Sequence, residues 1–253
     1  MAKWRLLFMS LPVVAIVLGL RYLVHDLAGI NDVVSFSDAG AVLTGASIIV
    51  GLMLGGVIAD YKESEKLPAA LAGSLSGFEG LALRGLEAKG VDDSWVHPRI
   101  TKTATAINDW LYGRISDDEM FKATGDNAQM IVDLEKAGVG THYLGRLFVA
   151  NSDLGGVLSR MSVIRNTNFI KSGYALMEIL IAIVLGLLII VDYPKPAVQW
   201  VVSGVLAAAY TYLVLLVKDL DNPFDYGANG EKGSAADVDL SPWKKLYTSI
   251  LQK

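Results

Sequence analysis

The sequence predicts an all-α membrane protein in which four transmembrane helices flank a large helical cytoplasmic region between the second and third spans. The 253 residues are 53% hydrophobic with a mean hydropathy of +0.43, which is too apolar for an ordinary soluble protein. Four apolar stretches approach the length of about 20 residues that a helix needs to cross the hydrocarbon. These predicted spans are residues 6–27, 39–59, 173–191 and 198–217.

The spans form two hairpins, and the polar segments complete the predicted domain organisation. Residues 1–60 form the first hairpin, 61–172 the cytoplasmic region, 173–217 the second hairpin and 218–253 a cytoplasmic tail. The last three spans contain no charged residue except Glu178, which lies near the start of the third. A buried helix of a soluble protein rarely has this length without a polar face.

The first span also has features of a secretory signal peptide. Lys3 and Arg5 precede its apolar run, as basic residues precede the apolar region of such a peptide. No small-x-small cleavage site follows cleanly, and the apolar run resumes after Arg21. We therefore interpret residues 6–27 as a retained span, with cleavage as the alternative.

Basic residues beside the spans predict that both termini are cytoplasmic, because cytoplasmic loops carry the excess of Lys and Arg. The side opposite the termini has only Arg21 and Lys195. Its first connection also carries a histidine and three aspartates, which fit either an acidic outer mouth or a solvated loop. The residues predicted on the cytoplasmic side are Lys3, Arg5, Lys62, Lys66, Arg160, Arg165, Lys171 and Lys218. The polar residues of the first connection are His25, Asp26, Asp32 and Asp38.

The cytoplasmic region has the local signals of helices. Ser116 and Glu119 have the spacing of a capping box, in which each side chain bonds the other residue's backbone N–H. Gly125 and Gly138 are predicted helix stops. No proline follows Ser152 before the third span, so one helix could run from the cytoplasm into the membrane.

The sequence gives no support to an enzyme, a metal site, a bound cofactor or a nucleic-acid partner. There is no cysteine, and His25, His97 and His142 are isolated from one another. A glycine-rich stretch at 138–145 has Tyr143 where a dinucleotide fingerprint needs its third glycine, and a GSLSG stretch has Leu75 where a nucleophile elbow needs serine. The net charge of −4 argues against binding to nucleic acid.

The second span carries two stripes with a spacing of four residues. Ser47, Gly51 and Gly55 form a small-residue face that lets another backbone approach closely, either within one subunit or between subunits. The adjacent stripe could touch lipid, pack inside the protein or line a pore constriction that resists wetting. Its residues are Thr44, Ile48 and Leu52.

Three segments resemble the bestrophins, and the tail is most similar to that of prokaryotic bestrophin-like membrane proteins. The second span leaves the membrane as VGLMLGGVIADYKESEKLP, residues 50–68, which is similar to the exit of the second membrane helix in that family. Asn222, Pro223 and Phe224 match the family's turn after the fourth span, and LSPWKKLY at 240–247 matches the restart of the chain in prokaryotic members. The order of spans, cytoplasmic region and tail is also that of bestrophins.

The resemblance implies a homo-oligomeric ion channel, pentameric in this family, whose pore is lined by the second transmembrane helix. Its partners would be the lipid bilayer, identical subunits and permeating inorganic ions, and its location the bacterial inner membrane. Aligned on Gly51, the family's apolar pore neck falls on Thr44, Ile48 and Leu52, of which Thr44 departs from the apolar pattern. Alignment on the EKLP segment would instead place the neck at Leu43, Ser47 and Gly51.

The tail and Glu178 leave further alternatives open. In bestrophins the chain after the Asn-Pro-Phe turn wraps a neighbouring subunit, although Asn-Pro by itself also stops a helix. Animal bestrophins have a dense acidic cluster there that helps to bind calcium, whereas the acids after Asp225 are scattered in this chain. Glu178 either pairs with Lys171 or Arg165 or faces the permeation path.

Two other functions compete with the channel. The first is a non-conducting membrane scaffold that binds a partner through its cytoplasmic helices, and the second is a secondary transporter. A secondary transporter would need paired interrupted helices with polar residues at the midplane, and the spans lack that pattern. The sequence does not distinguish anion from cation selectivity.

Overall fold

The computed structural model describes residues 4–166, 171–234 and 236–253, and within these ranges it omits the side chains of Lys171, Pro196 and Ala197. The chain forms two compact units, one of residues 1–61 and 168–221 and the other of residues 62–167 and 222–253. Almost all regular structure is helical, and the elements follow in this order: α1 Arg5–Tyr22, a π-helical turn Leu23–Leu27, β1 Val34–Ser35, α2 Phe36–Ser64, α3 Leu67–Glu87, α4 Val96–Leu111, α5 Asp117–Lys136, α6 Thr141–Asn166, α7 Lys171–Ile190, β2 Val191–Asp192, α8 Pro196–Asp221 and α9 Ser241–Leu251.

Among the residues that the structure describes, four helices are long and apolar enough to cross a membrane, and their apolar parts lie in the first unit: Arg5–Leu27, the apolar part of Phe36–Glu87, Ser172–Ile190 and Val198–Asp221. Because the bilayer core offers no water, each span must satisfy its backbone hydrogen bonds internally, as a helix does. Within the unit, α1 packs against α8 and α7. The core that these spans share includes Val17, Leu43, Ala46, Val50, Val57, Met177, Val184, Leu188, Ala207 and Tyr210.

A two-residue parallel strand pair closes one end of this unit. β1 pairs with β2, so that Val34 lies opposite Val191 and Ser35 opposite Asp192. The Asp192 Oδ2 carboxylate oxygen also accepts a hydrogen bond from the Val33 N–H at 3.2 Å. The sequence does not predict this pair, because two residues are too few for a periodic pattern.

The second unit packs α3, α4, α5, α6 and α9 around a core of its own. The predicted capping box of α5 is confirmed, since the Glu119 N–H donates to Ser116 Oγ and the Ser116 N–H donates to Glu119 Oε2. The predicted stop at Gly125 is wrong, because α5 continues to Lys136. A glycine costs a helix only about 1 kcal/mol, and buried Met120 and Met130 on either side repay that cost.

Gly138 does follow the end of α5, with a φ of +84° that favours glycine. The predicted continuous helix from Ser152 into the third span is described as α6 as far as Asn166 and as α7 from Lys171. Residues 167–170 of this prediction lie outside the described part of the chain, as does Lys3 of the predicted cytoplasmic set.

Candidate functional site

The stripe at Thr44, Ile48 and Leu52 lies on the side of α2 that faces away from the core of its own unit. Ile48 is 59% exposed and Leu52 is 73% exposed, whereas Val50, about half a turn around the helix, is fully buried. The Thr44 hydroxyl donates to the Gly40 carbonyl at 2.8 Å within the same helix. Its proton is therefore already used, which makes Thr44 less polar toward its surroundings than its type suggests.

In the alternative neck register of Leu43, Ser47 and Gly51, the first residue faces the core of its own unit. Leu43 is only 8% exposed, and its carbonyl accepts hydrogen bonds from Ser47 Oγ at 2.9 Å and from the Tyr210 hydroxyl of α8 at 2.7 Å. The two hydroxyl oxygens of Ser47 and Tyr210 lie 2.6 Å apart. Leu43 and Ser47 thus belong to the contact between α2 and α8 of one chain.

The two glycines of the small-residue face have no such contact. Within the described part of the chain, a Cβ atom added at Gly51 or Gly55 would meet no atom within 4 Å outside the helix itself, whereas Ser47 touches Tyr210. Packing within one chain therefore accounts for Ser47 and leaves the surface at Gly51 and Gly55 open. This open strip lies beside the apolar stripe.

Glu178 pairs with a lysine that the sequence analysis did not consider. Its Oε1 atom accepts a hydrogen bond from Lys218 Nζ of α8 at 2.8 Å, and both side chains are about half exposed. Arg165, one of the predicted partners, instead donates to the Trp110 carbonyl at 2.6 Å. The side chain of Lys171, the other predicted partner, lies outside the described atoms.

The Asn-Pro-Phe turn follows the last residue of α8, Asp221. Phe224 is 3% exposed, and the Pro223 carbonyl accepts a hydrogen bond from the Val238 N–H at 2.9 Å. The Asn222 Oδ1 atom is buried and has no hydrogen-bond partner among the described residues. The turn thus anchors the start of the tail to the segment that precedes α9.

The tail packs on its own chain, which the resemblance to bestrophins did not imply. Helix α9 lies against α3 and α4, and Trp243 is fully buried there. At the end of the tail, Lys253 Nζ donates to both carboxylate oxygens of buried Glu79, at 3.0 and 3.1 Å. The spacing of Leu240, Trp243 and Ile250 is that of an apolar helix face, and this signal could have predicted the contact.

The acids of the tail do not converge. Asp237 accepts hydrogen bonds from the N–H and the hydroxyl of Ser234, yet burial raises the pKa of its carboxyl. Burial likewise raises the pKa of Tyr226 to about 12. Among the described residues, no group of three or more His or acidic side chains is arranged to hold a metal ion.

A carboxylate that sequence reasoning missed joins three helices of the second unit. Asp117, at the start of α5, accepts hydrogen bonds from Trp110 Nε1 at 2.7 Å, from the Ser162 hydroxyl and from Asn166 Nδ2 at 2.7 Å. Burial opposes ionisation, but these hydrogen bonds and nearby Arg165 prevail and lower the pKa of Asp117. The pairing of residues so far apart in sequence leaves no periodic signal.

A second missed cluster lies in the first unit, at the end of the spans where β2 begins. Arg21 is fully buried, and its guanidinium donates to the carbonyls of Leu188 and Val191, both at 2.8 Å, and to Gln199 Oε1 at 3.1 Å. The guanidinium also lies 5.1 Å from the ring centroid of Tyr193. Arg21 therefore satisfies carbonyls at the C-terminal end of α7 that would otherwise lack donors.

No protein-family model and no curated protein matches the chain. Solved structures do match over nearly its whole length. A bacterial bestrophin homolog from Klebsiella pneumoniae has a TM-score of 0.73 at 13% identity, covering 98% of this chain and 96% of that one. A structure described as a membrane protein variant has a TM-score of 0.76 at 13% identity, and the match covers 98% of both chains. A variant of the Klebsiella pneumoniae homolog has a TM-score of 0.73 at 14% identity, and the match covers 97% of both chains. The chain is thus an integral membrane protein with the fold of the bacterial bestrophin homologs.

Proposed function

We propose that this chain assembles into a homo-oligomeric, pentameric ion channel in the bacterial inner membrane, with both termini cytoplasmic. The pore is lined by α2 and narrows to an apolar neck at Thr44, Ile48 and Leu52. The two hairpins at 1–60 and 173–217 lie in the membrane, and residues 61–172 and 218–253 lie in the cytoplasm. Calcium binding by the tail is no part of this proposal.

The observation that carries the proposal is the direction of the apolar stripe on α2. Ile48 and Leu52 point away from the core of their own unit, so they meet lipid, a neighbouring subunit or a water-filled axis. In a ring, each axis-lining helix also needs a flank on which the next subunit can pack. Gly51 and Gly55 offer such a flank directly beside the stripe, because no described residue of the same chain covers them.

The geometry supports one neck register over the other. Leu43 and Ser47 are engaged by Tyr210 of the same chain, so a neck at Leu43, Ser47 and Gly51 would require that contact to break. Glu178 is paired with Lys218, and this ion pair supports a role in stabilising the end of the second hairpin rather than a free carboxylate on the permeation path.

A non-conducting scaffold is the second candidate, and one observation favours it. Phe148 and Val149 of α6 are 57% and 61% exposed in the cytoplasmic unit, where large apolar side chains often mark a contact with another protein. These residues could equally meet a second copy of the chain.

Particle mass and conductance together test the proposal. The purified protein in detergent should have a protein mass of five times the 27.2-kDa chain, measured by light scattering or native mass spectrometry. The same particle in a planar bilayer should pass ions. A monomer would refute the channel, because four spans of one chain enclose no axis. An intact oligomer that stays silent over a range of voltages and calcium concentrations would favour the scaffold.

A further inference from the structure

A groove lies between α1 and α8 of the first unit, near the residue where α1 begins. Trp4, which directly precedes α1, and Leu7 form one wall, and Ala208, Ala209 and Tyr212 of α8 form the other. The groove has a volume of about 320 Å³ and an almost entirely apolar lining. This volume lies at the lower end of the range of about 300–1,000 Å³ that sites for small organic ligands occupy.

The groove forms because the two helices pack closely farther along α1 but not at its start. Ser10, about one turn beyond Leu7, is fully buried. At the level of Leu18 the helices are so close that a Cβ atom added at Gly204 would lie 3.6 Å from the Leu18 side chain. Near the start of α1, by contrast, the two alanines of α8 are too short to reach across. The groove therefore ends where close packing resumes.

The groove is continuous with the apolar surface of the membrane spans. Phe8 of α1 is 66% exposed and Val205 of α8 is 62% exposed, and each lies within one helical turn of a lining residue. Both helices are apolar enough to cross a membrane. Lipid tails are as apolar as these side chains, so this surface is suited to contact with acyl chains.

The lining residues of α8 lie on the side of that helix opposite its contact with α2. Tyr210 makes that contact, since its hydroxyl donates to the Leu43 carbonyl at 2.7 Å. Ala208 and Tyr212 are each two residues from Tyr210, which is about 200° around an α-helix. In the proposed function, on which this step rests, α2 lines the central axis. The groove then faces the surrounding bilayer.

The outer end of the groove suits a phosphate group. The first turn of α1 contains no acidic residue, and the tryptophan at its N-cap position has no acceptor to offer the first N–H groups of the helix. Arg5 is exposed at the same place and adds positive charge. Phosphate oxygens are favoured at a helix start of this kind. Trp and Tyr side chains such as Trp4 and Tyr212 also concentrate at the edge of a bilayer, where the headgroups begin.

We propose that this groove is a phospholipid-binding site, in which one acyl chain lies between α1 and α8 and the phosphate lies at the start of α1. Hydrocarbon gains no hydrophobic free energy by leaving other lipid tails. The affinity therefore comes from van der Waals contact in the groove and from the phosphate. Because α1 belongs to the first hairpin and α8 to the second, the bound lipid joins the two hairpins.

Fluorescence quenching in detergent tests the site without any measurement of conductance. Trp4 is 55% exposed and lines the groove, so bromine atoms on the acyl chain of a bound phospholipid should quench its emission. Brominated phosphatidylglycerol should be titrated into micelles of the Trp200→Phe variant, which lacks the other tryptophan of the first unit. Quenching should saturate while the lipid is still a minor component of the micelle. Quenching that rises only in proportion to the lipid fraction would refute the site.

A matched pair of variants assigns the quenching to the groove. Ala209→Phe places a ring in the space that the acyl chain needs and should abolish the saturable quenching. Ala15→Phe makes the same change at an exposed position of α1 outside the groove and should leave the quenching unchanged. Saturable quenching that survives Ala209→Phe would overturn the assignment.

Competition tests the contact with the phosphate. Phosphatidylglycerol without bromine should displace the brominated lipid. Diacylglycerol with the same chains lacks the phosphate and should compete about tenfold less well, which is the effect of one hydrogen bond to a charged group. Equal competition by the two lipids would refute the placement of the phosphate at the start of α1.

Native mass spectrometry of the unmodified protein gives an independent reading if Ala209→Phe fails to fold. After removal of the micelle, each chain should retain one phospholipid as added mass. A chain without retained phospholipid would refute the lipid site whatever the oligomeric state or conductance of the particle. A monomeric particle that retains the phospholipid would refute the channel and support the lipid site.

Discussion

Replacing Ile48 and Leu52 together by alanine separates a pore neck from a lipid-facing or packed stripe. Truncating a fully buried leucine or isoleucine to alanine costs about 2–5 kcal/mol. Ile48 and Leu52 are 59% and 73% exposed in the subunit, so each substitution should cost the subunit only about 1 kcal/mol. The double variant should therefore fold and assemble.

Its effect on permeation should be much larger than its effect on stability. Each substitution removes most of an apolar side chain from every subunit, which widens the constriction and favours its wetting. Single-channel recording in a planar bilayer should show conductance raised severalfold, or passage of larger organic ions that the parent excludes.

Val50→Ala is the matched control on the same helix. Val50 is fully buried on the opposite face, so its truncation should weaken the subunit by about 1–2 kcal/mol and leave conductance unchanged. Leu43→Ala and Ser47→Ala test the other register in the same way. The proposed neck would be overturned if the oligomer stayed intact, its conductance were unchanged by the double substitution at Ile48 and Leu52, and its conductance changed in Leu43→Ala.

Three variants of the second unit give further predictions. Asp117→Asn should lower the free energy of unfolding by about 1–3 kcal/mol, because it removes an ionised acceptor of three hydrogen bonds, whereas Asp118→Asn should change little. The pKa of Asp117 is lowered in the folded state, so the ionised carboxylate stabilises the fold fully above about pH 4 and this contribution is lost as the pH falls further. Denaturant titrations at several pH values should show the loss in the parent protein and a smaller loss in Asp117→Asn. Trp243→Ala should cost about 3–5 kcal/mol and expose the tail to protease, while Lys245→Ala should not. Ser116→Ala should cost about 1 kcal/mol by thermal melting, and no loss at all would show that the capping box adds no stability.

The features that the sequence predicts well are those that depend on local physics. The four spans follow from apolar length, and the capping box follows from two residues three positions apart. The end of α8 at Asp221, before Asn222 and Pro223, follows from the restriction that proline places on the preceding residue. Each of these needs information from one short segment.

The features that sequence reasoning misses depend on partners distant in the chain. Glu178 pairs with Lys218, 40 residues away, although Arg165 is nearer in sequence. The choice between the two proposed neck registers rests on Tyr210, whose hydroxyl donates to the Leu43 carbonyl across 167 residues. Gly125 fails as a stop because packing on both sides outweighs its local preference. Such choices are decided by tertiary contacts, which a spacing pattern in one span does not contain.

The burial of Arg21 has a consequence for the order in which the protein is made. Its carbonyl and amide acceptors, on Leu188, Val191 and Gln199, follow it by more than 160 residues. A nascent first hairpin therefore reaches the bilayer with a guanidinium whose partners have not yet been synthesised. An uncompensated charge inside hydrocarbon is expensive. We therefore expect the hydrogen bonds that bury Arg21 to form only after the second hairpin has been made.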